Sequence, residues 1–80
     1  MVRQWNGPAL RDLREARDWS QQRLAHEAGT DVGTISRLER GKHGPQANTL
    51  ASLAAALGVV DESVFFAIAE ETDALGEAAA

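Results

Sequence analysis

The stretch from Gln21 to Arg40, QQRLAHEAGTDVGTISRLER, constrains this chain more than any other. It carries two short apolar faces on either side of Gly29-Thr30-Asp31. Leu24, Ala25 and Ala28 share one face of the first half, and Val32, Ile35 and Leu38 share one face of the second, at the three- and four-residue spacing of helices. Gly29 supplies the left-handed backbone that a sharp helix end requires. Ala25 is small enough to let a second helix approach closely. The pattern predicts two helices packed at a steep angle across a short turn. With the inner face so used, the outer face of the second helix is left polar: Asp31, Gly33, Thr34, Ser36, Arg37 and Arg40.

The remaining sequence reads as helices around this pair. Asn6-Gly7-Pro8 breaks the chain, and Leu10, Leu13 and Ala16 follow at three-residue spacing, so a first helix is expected from Pro8 to Arg17. Trp19 anchors its end, and Ser20 is placed to cap the second helix through its hydroxyl. The third helix stops at Gly41, and a loop from Lys42 to Gln46 follows. Leu50, Leu53, Ala54 and Leu57 mark a fourth helix from about Ala47, ended by Gly58. Asp61 is placed to cap a fifth, carrying Val64, Phe65, Phe66 and Ile68. No segment shows strand alternation. The expectation is an all-α fold of five helices in one domain, with a core over residues 8–69 and an acidic, frayed tail over residues 70–80.

Composition narrows the function. The chain has no cysteine, which excludes disulfides and thiolate metal sites. No apolar run approaches the roughly 20 residues of a membrane span, and the N-terminus is too polar for a signal peptide, so a soluble cytoplasmic protein with no membrane partner is expected. Net charge is −4, but residues 1–50 hold all 8 basic side chains while residues 51–80 hold 6 acids and no Lys or Arg. A mildly basic front and an acidic back suit a polyanion at the front only. His26 and His43 lie in different elements without further ligands, so no metal and no cofactor are expected. No serine has a base placed by a nucleophile motif and no phosphate loop exists, which argues against an enzyme.

Four pieces in order extend the reading: Leu13-Arg14 with Trp19-Ser20-Gln21; Leu24-Ala25 with Ala28-Gly29; Ile35-Ser36-Arg37-Leu38-Glu39-Arg40-Gly41-Lys42; and Pro45 ahead of Thr49-Leu50, Leu53-Ala54 and Ala56-Leu57-Gly58-Val59. Together they resemble the Cro/repressor-type helix-turn-helix family, the Xre family, from Leu10 to about Phe66. The resemblance implies double-stranded DNA as partner, with the third helix in the major groove. It implies that Gln21 and the Ser20 backbone contact phosphate, that Thr34 does likewise, and that Val32, Gly33 and Arg37 meet base edges. Arg14 and Glu39 resemble the family's internal ion pair. Val32 and Gly33 depart from the polar side chains many relatives carry there. Arg37 is then the main candidate base reader, suited to guanine, with Arg40 in reserve and Lys42 near the backbone. Asp31 either caps the third helix or accepts from a cytosine amine.

Phe65 and Phe66 are adjacent and cannot both fill one core, since neighbours on a helix differ by roughly 100°. One is expected in the core and the other, with Ile68, at a homodimer interface. The resulting expectation is a transcriptional regulator, a repressor reading an inverted repeat as a dimer. The alternative is a protein-interaction module on the same fold, an antitoxin or adaptor with a protein partner and weak DNA binding.

Overall fold

A computed structural model describes residues 3–68. Its order is strand β1 (Arg3–Trp5), helices α1 (Gly7–Ala16), α2 (Gln21–Ala28), α3 (Val32–Arg40) and α4 (Ala47–Leu57), a single 3-10 turn (Glu62–Phe65) and strand β2 (Phe66–Ile68). The tail expected over residues 70–80 lies outside the described residues.

Capping groups place the helix starts. The Asn6 side chain accepts from the Ala9 amide at 3.2 Å, Ser20 Oγ from the Arg23 amide at 3.0 Å, and Asp31 Oδ1 from the Thr34 amide at 2.7 Å. Each satisfies one of the unpaired N–H groups of a first turn. At the far ends of α2 and α3, Gly29 and Gly41 turn left-handed, with φ of 70° and 82°. Helix α3 packs against both α1 and α2, and α4 packs against α2. The core they enclose is Leu10, Leu24, Ala25, Ile35, Leu38, Leu53, Ala54, Leu57 and Phe65.

The sequence reading is corrected at two places. The fifth helix does not form: the fold has four α-helices, and after the 3-10 turn the chain extends into β2. Asp61 caps that single turn, accepting from the Ser63 amide at 3.0 Å. The extension pairs with β1 as a two-stranded antiparallel sheet, Trp5 opposite Phe66 and Arg3 opposite Ile68. So the N-terminal segment, which shows no alternation of its own, is a strand. Trp5 explains why. Its ring stacks on Phe65 at 5.7 Å and meets the edge of Phe66 at the same separation. Its Nε1 donates to the Leu38 carbonyl at 2.8 Å, in the last turn of α3, where the Gly41 amide also bonds at 3.1 Å. The second is the face shared by Val32, Ile35 and Leu38: the latter two are buried, whereas Val32 stands 43% exposed at the start of α3.

Gly7 holds α1 against the end of α3. A Cβ there would lie 2.5 Å from the Glu39 carbonyl oxygen, 2.6 Å from that of Leu38 and 2.8 Å from the Gly41 nitrogen. All three are backbone atoms that cannot swing aside. Gly7→Ala is therefore expected to push the two helices apart and destabilise the fold by about 1–3 kcal/mol or more, read as a fall in Tm. An unchanged Tm would show that this approach is not close in solution.

Candidate nucleic-acid interface

The exposed side of α3 and the loop after it form one continuous surface. An open groove of about 530 Å³ runs between them and the start of α4, lined by Thr30, Thr34, Arg37, Arg40, Lys42, His43, Gln46 and Thr49 among others. The loop is backed by Trp5: a Cβ on Gly44 would come within 3.1 Å of the Trp5 Cβ. The small sheet thus supports the groove wall from behind.

The structure divides the basic residues into two sets. Arg11 pairs with Glu15 at 3.1 Å and Arg23 with Glu27 at 2.9 Å, both one turn apart on a helix surface. Arg17 donates to the Leu57 carbonyl at the end of α4. Arg17 and Arg23 also lie over the Trp19 ring, at 5.3 and 5.0 Å from its centre, a favourable cation–π arrangement. Arg37, Arg40 and Lys42 remain on the groove, and no carboxylate among the described residues lies within 4.0 Å of them. The chain's negative total is therefore compatible with a locally positive recognition face.

Arg14 and Glu39 tie α1 to the end of α3. Arg14 Nε donates to Glu39 Oε2 at 2.6 Å and Nη2 to Oε1 at 3.1 Å, while Nη1 donates to the Trp19 carbonyl at 2.7 Å. The two side chains are only 11% and 5% exposed. Hydrogen bonding to Glu39 raises the Arg14 pKa further, against the opposing effect of burial. Glu39 is thus neutralised inside the protein and does not present a charge to a polyanion.

Gln21 belongs to the same cluster. Its Nε2 donates to Glu39 Oε1 at 3.0 Å, and the residue is half-buried. The side chain expected at a phosphate is thus bonded through Nε2 to this carboxylate. Ser20 Oγ likewise serves the helix cap. At the start of α3, Asp31 caps the helix through Oδ1. Its carboxyl lies below the usual carboxylate range because the Thr34 amide, then the Thr34 side chain, bond to it, with the nearby Arg37 charge adding to the effect. Gly33 is exposed, and an added Cβ would meet only Asp31 Oδ1, at 3.5 Å. Thr34 is half-buried, and its Oγ1 accepts from Arg37 Nη2 at 3.3 Å.

Sequence reasoning did not single out Thr30, Gln46 or Thr49. They reach the groove because the turn and the start of α4 fold beside α3, a placement with no local signature. Gln46 precedes α4 without a side-chain cap bond, and the Thr49 amide in the first turn donates instead to Asn48 Oδ1 at 2.9 Å. Phe65 is fully buried in the monomer core. It cannot also meet a second chain, and Phe66, half-buried against Trp5, is the ring left nearer the surface. Among the described residues no group of three or more His, Cys, Asp or Glu side chains could hold a metal. None of their helices is long and apolar enough to cross a membrane.

Two helices crossed over a Gly29 turn, the second with a polar and basic outer face, define a helix-turn-helix DNA-binding domain. The chain belongs to the HTH_3 helix-turn-helix family, whose profile matches residues 10–65, and these are transcriptional regulators of the Cro/Xre type, not enzymes. It is 41% identical over 59 residues to an uncharacterised HTH-type transcriptional regulator of Mycobacterium bovis, covering 74% of this chain and 23% of the relative. It is 42% identical over 62 residues to the uncharacterised HTH-type regulator RghRB of Bacillus subtilis, covering 76% and 45%. The chain thus spans less than half the length of these two relatives. Among solved structures it resembles the restriction-modification controller protein C.AhdI of Aeromonas hydrophila, with a TM-score of 0.68 and 34% identity over 74% of this chain and 89% of that one. The clp gene regulator ClgR of Corynebacterium glutamicum superposes with a TM-score of 0.67 and 34% identity, covering 90% and 76%.

Proposed function

We propose that this regulator is a sequence-specific repressor that binds double-stranded DNA as a homodimer on an inverted repeat, in the cytoplasm. Helix α3 enters the major groove, Arg37 reads guanine, Val32 meets a thymine methyl, and Gly33 lets the backbone approach closely. Arg40, Lys42 and the α4 end of the groove take phosphate, as does the backbone of Ser20 and Gln21. Repression follows from occupancy of the site. The observation that carries the reading is the segregation of charge: Arg11, Arg17 and Arg23 have intramolecular partners, while Arg37, Arg40 and Lys42 line one groove beside α3.

The dimer reading rests on a second open groove. Leu50, Val59, Val60 and Phe66 border it together with Asp61, Glu62 and Ser63; Val60 is 99% exposed, and Val64 nearby is 49% exposed. Exposed apolar side chains within a polar rim suit a second copy, with Phe66 among them; the side chain of Ile68 lies outside those described. Two domains can then reach half-sites about 34 Å apart. The likeness to a restriction-modification controller is in keeping with a regulator of this type.

The experiment is selection from random duplex DNA, followed by titration at two salt concentrations. An enriched inverted repeat with half-sites one helical turn apart is expected. Arg37→Ala is expected to cost about 1–3 kcal/mol on that site and to relax one base position, while Lys42→Ala weakens all sequences alike and reduces the salt slope by about 1. No enrichment, with binding that vanishes by roughly 0.2 M salt, would overturn the proposal in favour of a protein-interaction module.

A further inference from the structure

Arg37 is a long side chain on an exposed face, and in isolation it would sample many rotamers, a freedom it must give up to hold a guanine. In this structure it is not isolated. Its Nη2 donates to Thr34 Oγ1 at 3.3 Å, and the Thr34 amide donates to Asp31 Oδ1 at 2.7 Å. The Asp31 carboxylate in turn faces both Thr34 and the Arg37 charge. The three residues follow one another at three-residue spacing along the start of one helix.

We propose that Asp31 and Thr34 form a positioning chain that presents Arg37 to the base edge, so that Thr34 sets sequence discrimination and does not chiefly bind phosphate. This rests on the reading of Arg37 as the base reader and takes the place of the phosphate contact that the family resemblance implies for Thr34. The donor count permits it. A guanidinium has five N–H groups; one held by Thr34 leaves four, and guanine O6 and N7 take two. The donor given to Thr34 fixes the fork, which reduces the rotamer freedom lost on binding. Asp31 fits the same role. Its carboxylate orders Thr34 through the amide and side chain and attracts Arg37.

The test uses the whole chain and the operator recovered by selection, with duplexes altered singly at the base that Arg37→Ala relaxes. Thr34→Val keeps the branched shape and the amide that Asp31 caps, and removes only the hydroxyl; Thr34→Ser restores a hydroxyl. Thr34→Val is expected to lower discrimination at that base roughly three- to tenfold, the effect of one lost hydrogen bond of ordinary net strength at an exposed site, with the salt slope and binding to unrelated duplex unchanged. Thr34→Ser is expected to recover most of it, and Thr34→Val to add nothing in an Arg37→Ala background. An equal loss on all duplexes with a shallower salt slope would assign Thr34 to phosphate and overturn the proposal, as would unchanged discrimination. If Arg37→Ala itself relaxes no base, the base-reader assignment fails first, and that result is separate from any effect of Thr34.

Discussion

Phe65→Ala is expected to destabilise the fold by about 3–5 kcal/mol, a large part of the roughly 4–12 kcal/mol that a domain of this size commands. Phe65 is fully buried, stacks on Trp5, and sits where α1, α4 and the 3-10 turn converge. Its backbone carbonyl also accepts from the Asn6 amide at 2.8 Å, so the residue joins the two ends of the fold. Removing the ring leaves Trp5 without its stacking partner and loosens the sheet behind the groove. Urea denaturation measures the loss. The same change at Phe66 is expected to cost about 1 kcal/mol of monomer stability, because that ring is only half-buried. If both variants lose equal stability, the division into core ring and outer ring is wrong. If Phe66→Asp weakens self-association while the monomer stays folded, the dimer surface is placed at this edge.

Glu39→Ala is expected to cost about 3 kcal/mol or more, since it strands the Arg14 guanidinium in a site only 11% exposed. It also removes the acceptor of Gln21 Nε2. The penalty belongs to the unpaired charge more than to the pair, so the double variant Arg14→Met with Glu39→Leu is expected to recover most of it. Thermal denaturation of the two single variants and the double variant separates these terms. A double variant no more stable than Glu39→Ala would mean that the ion pair itself holds α1 to α3. Gln21→Ala is expected to share a smaller part of this loss, which a pure phosphate contact would not show.

Much of the site was legible because its signals are local. Ser20 and Asp31 cap the helices that follow them through bonds to amides three residues on, and Gly29, Gly41 and Gly58 end helices by their own backbone angles. Apolar residues three and four apart face one way whatever the chain does elsewhere. The polar outer face of α3 follows by subtraction. Val32 keeps the spacing of Ile35 and Leu38 without their burial, because a residue in the first turn has no preceding turn beside it and lies at the rim of the packed face.

What the sequence by itself determined is the set of four helices, their ends and the basic residues available for recognition, all consequences of contacts within a few residues. What only the tertiary structure decided depends on partners far along the chain. Arg3–Trp5 carries too few residues to show a period, and it becomes a strand because Trp5 finds Phe65, Phe66 and the Leu38 carbonyl. The same attraction draws Phe66–Ile68 out of the expected helix, since an extended chain pairs with β1 where a helix could not. Gln21 turns inward because Glu39 lies beside it in space, and Gly7 is required because a backbone more than 30 residues away passes against it. Such choices follow from burial and hydrogen-bond satisfaction between distant segments, and no local preference encodes them.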